Sequence, residues 1–149
     1  MSVIQIPYHL DEYLPDLDVP LPPDTVITAD LPAGDVWDRL SALYAGLAGA
    51  VAGEARRGGR PVVVSGDCTT ALGTMSGLQQ AGIEAGIVWF DAHGLRLPVP
   101  GGPSPAQVTG ALNALLGTGR VAAIGIACTW YPGHSAAAAI RQHLHTALA

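Results

Sequence analysis

Ile87-Val88-Trp89-Phe90-Asp91-Ala92-His93-Gly94 is an apolar run that ends in a carboxylate and an imidazole on alternate residues. Four apolar residues in a row predict a strand buried on both faces, as in a parallel sheet covered by helices. Its polar residues fall at the carboxyl end, where open α/β sheets form their ligand crevice. If the strand continues through them, Asp91 and His93 project to the same side. A hard carboxylate beside an imidazole is the beginning of a transition-metal site. Taken alone, the same pair also reads as a strand-end cap and a hydrogen-bonded histidine. The remainder of the chain has to decide between the two.

Composition narrows the class. The chain has 149 residues, 49% of them apolar, which suits one domain with an ample core. Its apolar segments are broken before membrane-spanning length, and the amino terminus lacks a basic-then-apolar leader. The expected location is therefore cytoplasmic. Two cysteines, Cys68 and Cys128, fit a reducing compartment better than a disulfide framework. The net charge is −5 and lysine is absent, so no nucleic-acid footprint or polybasic membrane patch is expected. All twelve Asp and Glu lie at or before Asp91. A site needing several carboxylates must therefore take them from the first part of the chain.

Strand and helix signals alternate outward from the opening stretch. Val3–Ile6, stopped by Pro7, predicts a first strand, and Asp11–Asp24 an irregular surface excursion. Thr25–Ala29 is rich in β-formers and predicts a second strand. A helix is expected from Asp35 as N-cap, with Trp37, Leu40, Tyr44, Leu47 and Val51 on its apolar face and Gly58-Gly59 beyond its end. Pro61–Ser65 is the third strand, and Gly66-Asp67-Cys68-Thr69-Thr70 turns into a helix reaching about Ala81. After the fourth strand, Leu95–Pro105 holds four prolines and two glycines and breaks the pattern. Ser104-Pro105-Ala106-Gln107 opens a helix to Gly117, Val121–Ala127 is a fifth strand, and Ser135 to about Leu148 a closing helix. The expected fold is a three-layer α/β/α sandwich in one domain, residues 1–149, on a mostly parallel sheet of about five strands.

Two strand ends thus carry chemistry, Gly66-Asp67-Cys68 and Asp91-Ala92-His93. In this the sequence resembles the arginase/agmatinase/formiminoglutamase (ureohydrolase) family. That family's hallmarks are a Gly-Asp-His segment and an Asp-Ala-His-x-Asp segment at consecutive strand ends, then a later Asp-x-Asp. The resemblance covers most of the chain: residues 1–94 are similar to the amino-terminal part of an actinobacterial-type member, and Leu95–Ala149 to the carboxyl-terminal part. It implies an arginase-like fold, hydrolysis of C–N bonds in a small guanidino-type substrate, and a pair of manganese ions that polarise the carbon and supply hydroxide. It also implies that the last strand lies beside the Gly-Asp strand.

The departures from the family pattern fall on the metal ligands. Cys68 stands at the histidine of Gly-Asp-His, Leu95 at the last aspartate of Asp-x-His-x-Asp, and the later Asp-x-Asp is missing. Thr129 sits where many members carry a substrate-recognising Glu. The pattern reads as an internally shortened member with its deletion junction at Gly94-Leu95. Asp91, His93 and Cys68 remain as candidate metal ligands, with Cys128 as a weaker fourth. Three ligands suit one open zinc-like ion and are too few for the manganese pair. The rival readings are a mononuclear zinc site, a Cys68–His93 nucleophile pair, and a non-catalytic α/β scaffold. Asp67 reads as an N-cap, His9 as a residue at the site edge or surface, and His134, His143 and His145 as surface residues. Lost internal strands leave open sheet edges, so a homo-oligomer is expected.

Overall fold

The computed structural model describes residues 1–88 and 105–127. Its central sheet holds β1 (Ser2–Ile6), β4 (Thr25–Val26), β5 (Pro61–Ser65) and β6 (Ile124–Ala127) in the order β4-β1-β5-β6, and every pairing in it is parallel. A separate antiparallel ladder joins β2 (Tyr8–His9) to β3 (Glu12–Tyr13). β5 is central and all five of its residues are buried, which is why its Val-Val-Val run does not alternate with polar residues. Pro61 sits at its first position, where a missing N–H interrupts no inner rung. The last strand lies beside the Gly-Asp strand, as the family resemblance implies: Val62, Val63, Val64 and Ser65 pair with Ile124, Gly125, Ile126 and Ala127.

Among the described residues, three helices cover the sheet. α1 (Val36–Arg56) begins where the Asp35 carboxylate accepts from the N–H groups of Trp37 at 2.8 Å and Asp38 at 3.1 Å. It ends at Gly58, whose φ of 76° lets its N–H turn back to the Ala55 carbonyl at 2.9 Å. Leu40, Leu43, Leu47 and Val51 recur at three- and four-residue steps and are all buried. Trp37, placed on that face by its spacing, is instead 68% exposed. Replacing Asp35 with Ala is expected to cost about 1 kcal/mol, the usual worth of such a cap, read as a shift in the urea midpoint.

The 3-10 turn Cys68–Thr70 leads into α2 (Ala71–Gln80), and α1 and α2 lie on one face over Ile4, Ile6 and Val63. The opposite face, Val3, Val62 and Val64, is covered by Leu17 and Leu21 and by Leu112 of α3 (Pro105–Gly117). Because strand residues alternate faces, the in-register pairs Val3–Val62 and Ile4–Val63 sort cleanly into these two clusters. The result is the expected three layers.

Two further expectations need correction. The Asp11–Asp24 segment is not only a surface excursion. Its prolines rule out a helix, yet Leu17, Pro20 and Leu21 are buried and serve as part of the second layer. The stretch that opened the sequence argument also differs: Ile87 and Val88 lie outside regular structure and are 57% and 63% exposed. A fully buried parallel strand needs a neighbouring strand and helices on both faces, and β6 already occupies the place beside β5. The remainder of that stretch, Ser104 as cap, and the closing helix lie outside the described residues. Among the described residues, no helix is long and apolar enough to cross a membrane.

Candidate active site at the carboxyl edge of the sheet

β5 delivers Gly66-Asp67-Cys68 to the carboxyl edge, and the chain is held there by a dense set of bonds. Gly66 N–H donates to the Tyr8 carbonyl at 3.0 Å. A Cβ at Gly66 would stand 2.5 Å from that oxygen and 2.9 Å from Leu14 Cδ1, so this position demands glycine for close approach. His9 Nδ1 lies 3.3 Å from the Gly66 carbonyl, which places the His9 ring against the strand end. Of its two readings, the site edge is the one the geometry supports.

Asp67 is 3% exposed, and its carboxylate is committed to the chain itself. Oδ2 accepts from Leu10 N–H at 2.6 Å, and Oδ1 accepts from Thr69 N–H at 2.6 Å and from the Thr69 hydroxyl. The Thr69 hydroxyl also meets the Tyr44 hydroxyl. Ser65 Oγ donates to the Asp67 carbonyl at 2.7 Å and lies 2.9 Å from Thr70 Oγ1. Asp67 is therefore the N-cap expected from the sequence, and it also pins the β2–β3 hairpin to the strand end. Leu10, at the hairpin tip, is held at φ 53°, a left-handed conformation unusual for leucine. Sequence reasoning found Asp67 as a cap, but no local pattern announces its partner across more than fifty residues.

Burial pushes the Tyr44 phenol above its usual value of 10.0, with the nearby Asp67 and Cys68 adding to the rise and the Thr69 bond opposing it. A phenol kept neutral in the fold contributes stability that is intact below pH 10 and fades as pH climbs through the raised value. Beside the hairpin, the Arg39 guanidinium bonds Asp11 at 2.5 Å and holds that carboxyl below its usual range. This contribution has the opposite sign: present above the ordinary carboxylate range and lost as pH falls through the lowered value. A shallow hollow of about 270 Å³ lies at the other end of the strands, lined by Ser2, Thr25, Gly53 and Arg57.

Of the predicted ligands, Cys68 is described: it is partly buried at the start of the 3-10 turn. Asp91, His93, Cys128 and Thr129 lie outside the described residues. Among the described residues, no group of three or more His, Cys, Asp or Glu converges as a metal site. The donor set does not fit a manganese pair. Asp67 has both oxygens bonded within the chain, and no carboxylate follows Asp91 in the sequence.

An open parallel sheet with helices on both faces, carrying its polar strand ends at one edge, defines an α/β protein of the kind that binds ligands at the carboxyl ends of its strands. Residues 6–94 match the Arginase family, and this chain belongs to it. The matched span includes both strand-end motifs. Over 48 residues the chain is 42% identical to the arginase of Bacillus caldovelox. That alignment covers 32% of this chain and 16% of the Bacillus protein, so the chain spans a small part of this relative. No solved structure gives a significant match.

Proposed function

We propose that this chain is an arginase-family hydrolase in lineage, of the class that cleaves C–N bonds of small guanidino-type compounds, and that its own catalysis is impaired. The observation that carries the lineage is the family match over residues 6–94, which spans Gly66-Asp67-Cys68 and Asp91-Ala92-His93-Gly94. The impairment rests on chemistry. The sequence has Leu95 at a ligand position and no later Asp-x-Asp, and nothing in the described site replaces them. We place the missing segment at Gly94-Leu95.

The role of the described residues is to position. Asp67, through Leu10 and Thr69, fixes the hairpin over the strand end and sets Cys68 at the rim. A second reading, a non-catalytic scaffold, is favoured by this same commitment of the Asp67 carboxylate to backbone groups.

Metal analysis by plasma mass spectrometry after incubation with manganese, paired with a urea-release assay on arginine and agmatine, tests the proposal. The expected result is well under two manganese per chain. Urea release is expected about a thousandfold or more below a full-length family member, because metal charge stabilisation contributes several kcal/mol and each 1.4 kcal/mol is tenfold. Two manganese per chain with substantial urea release would overturn the impaired reading; no metal and no urea would favour the scaffold.

A further inference from the structure

The geometry points to the hollow at the amino edge of the sheet as a binding site for a small oxyanion, a carboxylate or a phosphate, anchored by Arg57. The inference does not depend on the proposed activity. The hollow lies between β1 and β4 on one side and α1 on the other. Ser2, Ile4 and Thr25 form its floor. Ile4 belongs to the cluster under α1, Ser2 stands two residues before it, and Thr25 is its in-register partner, so all three project to the α1 face. Over them α1 passes with Gly49 and Gly53, which bring no side chain. Among the described residues, a Cβ at Gly49 would meet nothing within 4 Å, and one at Gly53 would meet Arg57 Nη1 at 3.6 Å. Glycine inside a helix gives up more backbone freedom than alanine does, and neither position shows the close packing that would demand it. What the two glycines leave is the space itself, about 270 Å³, a volume for a small ion or acid and below the range of drug-sized pockets.

Charge sets the sign of the ligand. As the crossover between the parallel strands β4 and β5, α1 returns to the amino edge and ends there with Arg56 and Arg57. Arg60 precedes β5 and Arg120 precedes β6, so parallel strands bring both to the same edge. Among the described residues, these four arginines stand against Asp24, Glu54 and Glu84, a local excess of positive charge on a chain whose net charge is −5. Two of them serve the backbone: Arg56 Nη2 donates to the Gln80 carbonyl at 2.6 Å and Arg60 Nε to the Val121 carbonyl at 3.0 Å. Arg57 is the arginine that lines the hollow. The Glu54 carboxylate, 13% exposed, accepts from Arg57 Nη2 at 2.7 Å and so fixes a guanidinium that is itself 70% exposed. That bond uses one of five donors in a rigid fork, which leaves an edge suited to a second anion. The hydroxyls of Ser2 and Thr25 add neutral donors from the floor.

The test uses the full chain, with inorganic phosphate and acetate as separate probes at an ionic strength held constant by chloride. In amide NMR at least one probe is expected to shift the Ile4, Thr25, Gly49 and Gly53 resonances saturably in the millimolar range, and the tighter of the two identifies the oxyanion. Arg57→Gln is expected to weaken that binding about tenfold, the worth of one hydrogen bond to a charged group. Arg120→Gln removes the same charge from the same edge, two strands away from β1, and is expected to leave binding within about twofold. Gly49→Leu places a good helix former in the hollow and is expected to abolish binding while the dispersion of the amide spectrum is kept. The proposal would be overturned by the absence of a saturable shift with either probe. Equal weakening by Arg57→Gln and Arg120→Gln would overturn it too, as would a Gly49→Leu variant that binds like the native chain.

Discussion

Asp67→Ala is expected to destabilise the protein by about 3 kcal/mol, since the change strips several donors of a charged acceptor inside a buried site. The donors are the Leu10 and Thr69 N–H groups at 2.6 Å and the Thr69 hydroxyl. Asp67 is 3% exposed, so bulk solvent does not directly replace the lost acceptor. Asp67→Asn keeps one acceptor oxygen but faces the other donor with an amide that cannot accept, so roughly half of the loss should remain. Urea denaturation gives the magnitude, and hydrogen exchange supplies the local readout. The Leu10 amide should be protected in the native protein and exchange far faster in the alanine variant, while amides of β5 change less. The reason for that split is topological. β5 is held by ladders on both sides, whereas the hairpin tip at Leu10 depends on Asp67 to offset its left-handed backbone. A loss below about 1 kcal/mol would mean that the carboxylate is not committed to the hairpin, and would reopen Asp67 as a ligand-binding group.

The contrast between Asp67 and the Ile87–Phe90 run shows what sequence reading could and could not reach. Asp67 as a cap, Pro61–Ser65 as a central strand, and Asp35 as the start of a long helix each follow from chemistry within a few residues of the chain. Local signals of that kind survive because the backbone groups they satisfy are themselves local. The Ile87-Val88 reading depended on a neighbour strand elsewhere, and strand propensity is a statement about fitting a pleated, covered surface. With β6 beside β5, the described sheet gives those residues no such surface. Leu17 and Leu21 erred in the opposite direction. Acids and prolines around them mark a loop, correctly, but whether a loop is buried is decided by how much of a sheet face the helices leave for it to cover, and here it shares that face with Leu112 of α3. The family resemblance supplied the one long-range relation legible beforehand, the last strand beside the Gly-Asp strand, and the site edge follows from it.

Gly77→Ala and Gly110→Ala should change stability in opposite directions, although both replace a glycine inside a helix. Intrinsic propensity favours alanine by about 1 kcal/mol at either place, because glycine loses more backbone freedom on ordering. At Gly110 in α3 nothing among the described residues lies within 4 Å of the added Cβ and the position is exposed, so the full gain of about 1 kcal/mol is expected there. At Gly77 the new Cβ would lie 2.6 Å from Val51 Cβ and 2.7 Å from the Ala48 carbonyl oxygen. Gly73, one turn earlier, meets Leu47 Cδ2 at 2.9 Å and the Tyr44 carbonyl at 3.1 Å. The two glycines form a flat strip along which α2 lies directly on α1, and the nearest atoms include backbone that cannot rotate away. Relief must come from moving one helix, which opens gaps along Leu47 and Val51, both 0% exposed in the core cluster beneath. Overpacking of this kind costs about 1–3 kcal/mol, here at the upper end because the three nearest atoms all lie within 2.8 Å of the added Cβ, and after the propensity gain of about 1 kcal/mol Gly77→Ala should be about 2 kcal/mol less stable. Gly77→Val, with two further methyl groups, should lose more. Urea midpoints at constant m-value would measure all three; a neutral Gly77→Ala would mean that α1 and α2 are not in backbone contact, and the layer above the candidate site would have to be redrawn.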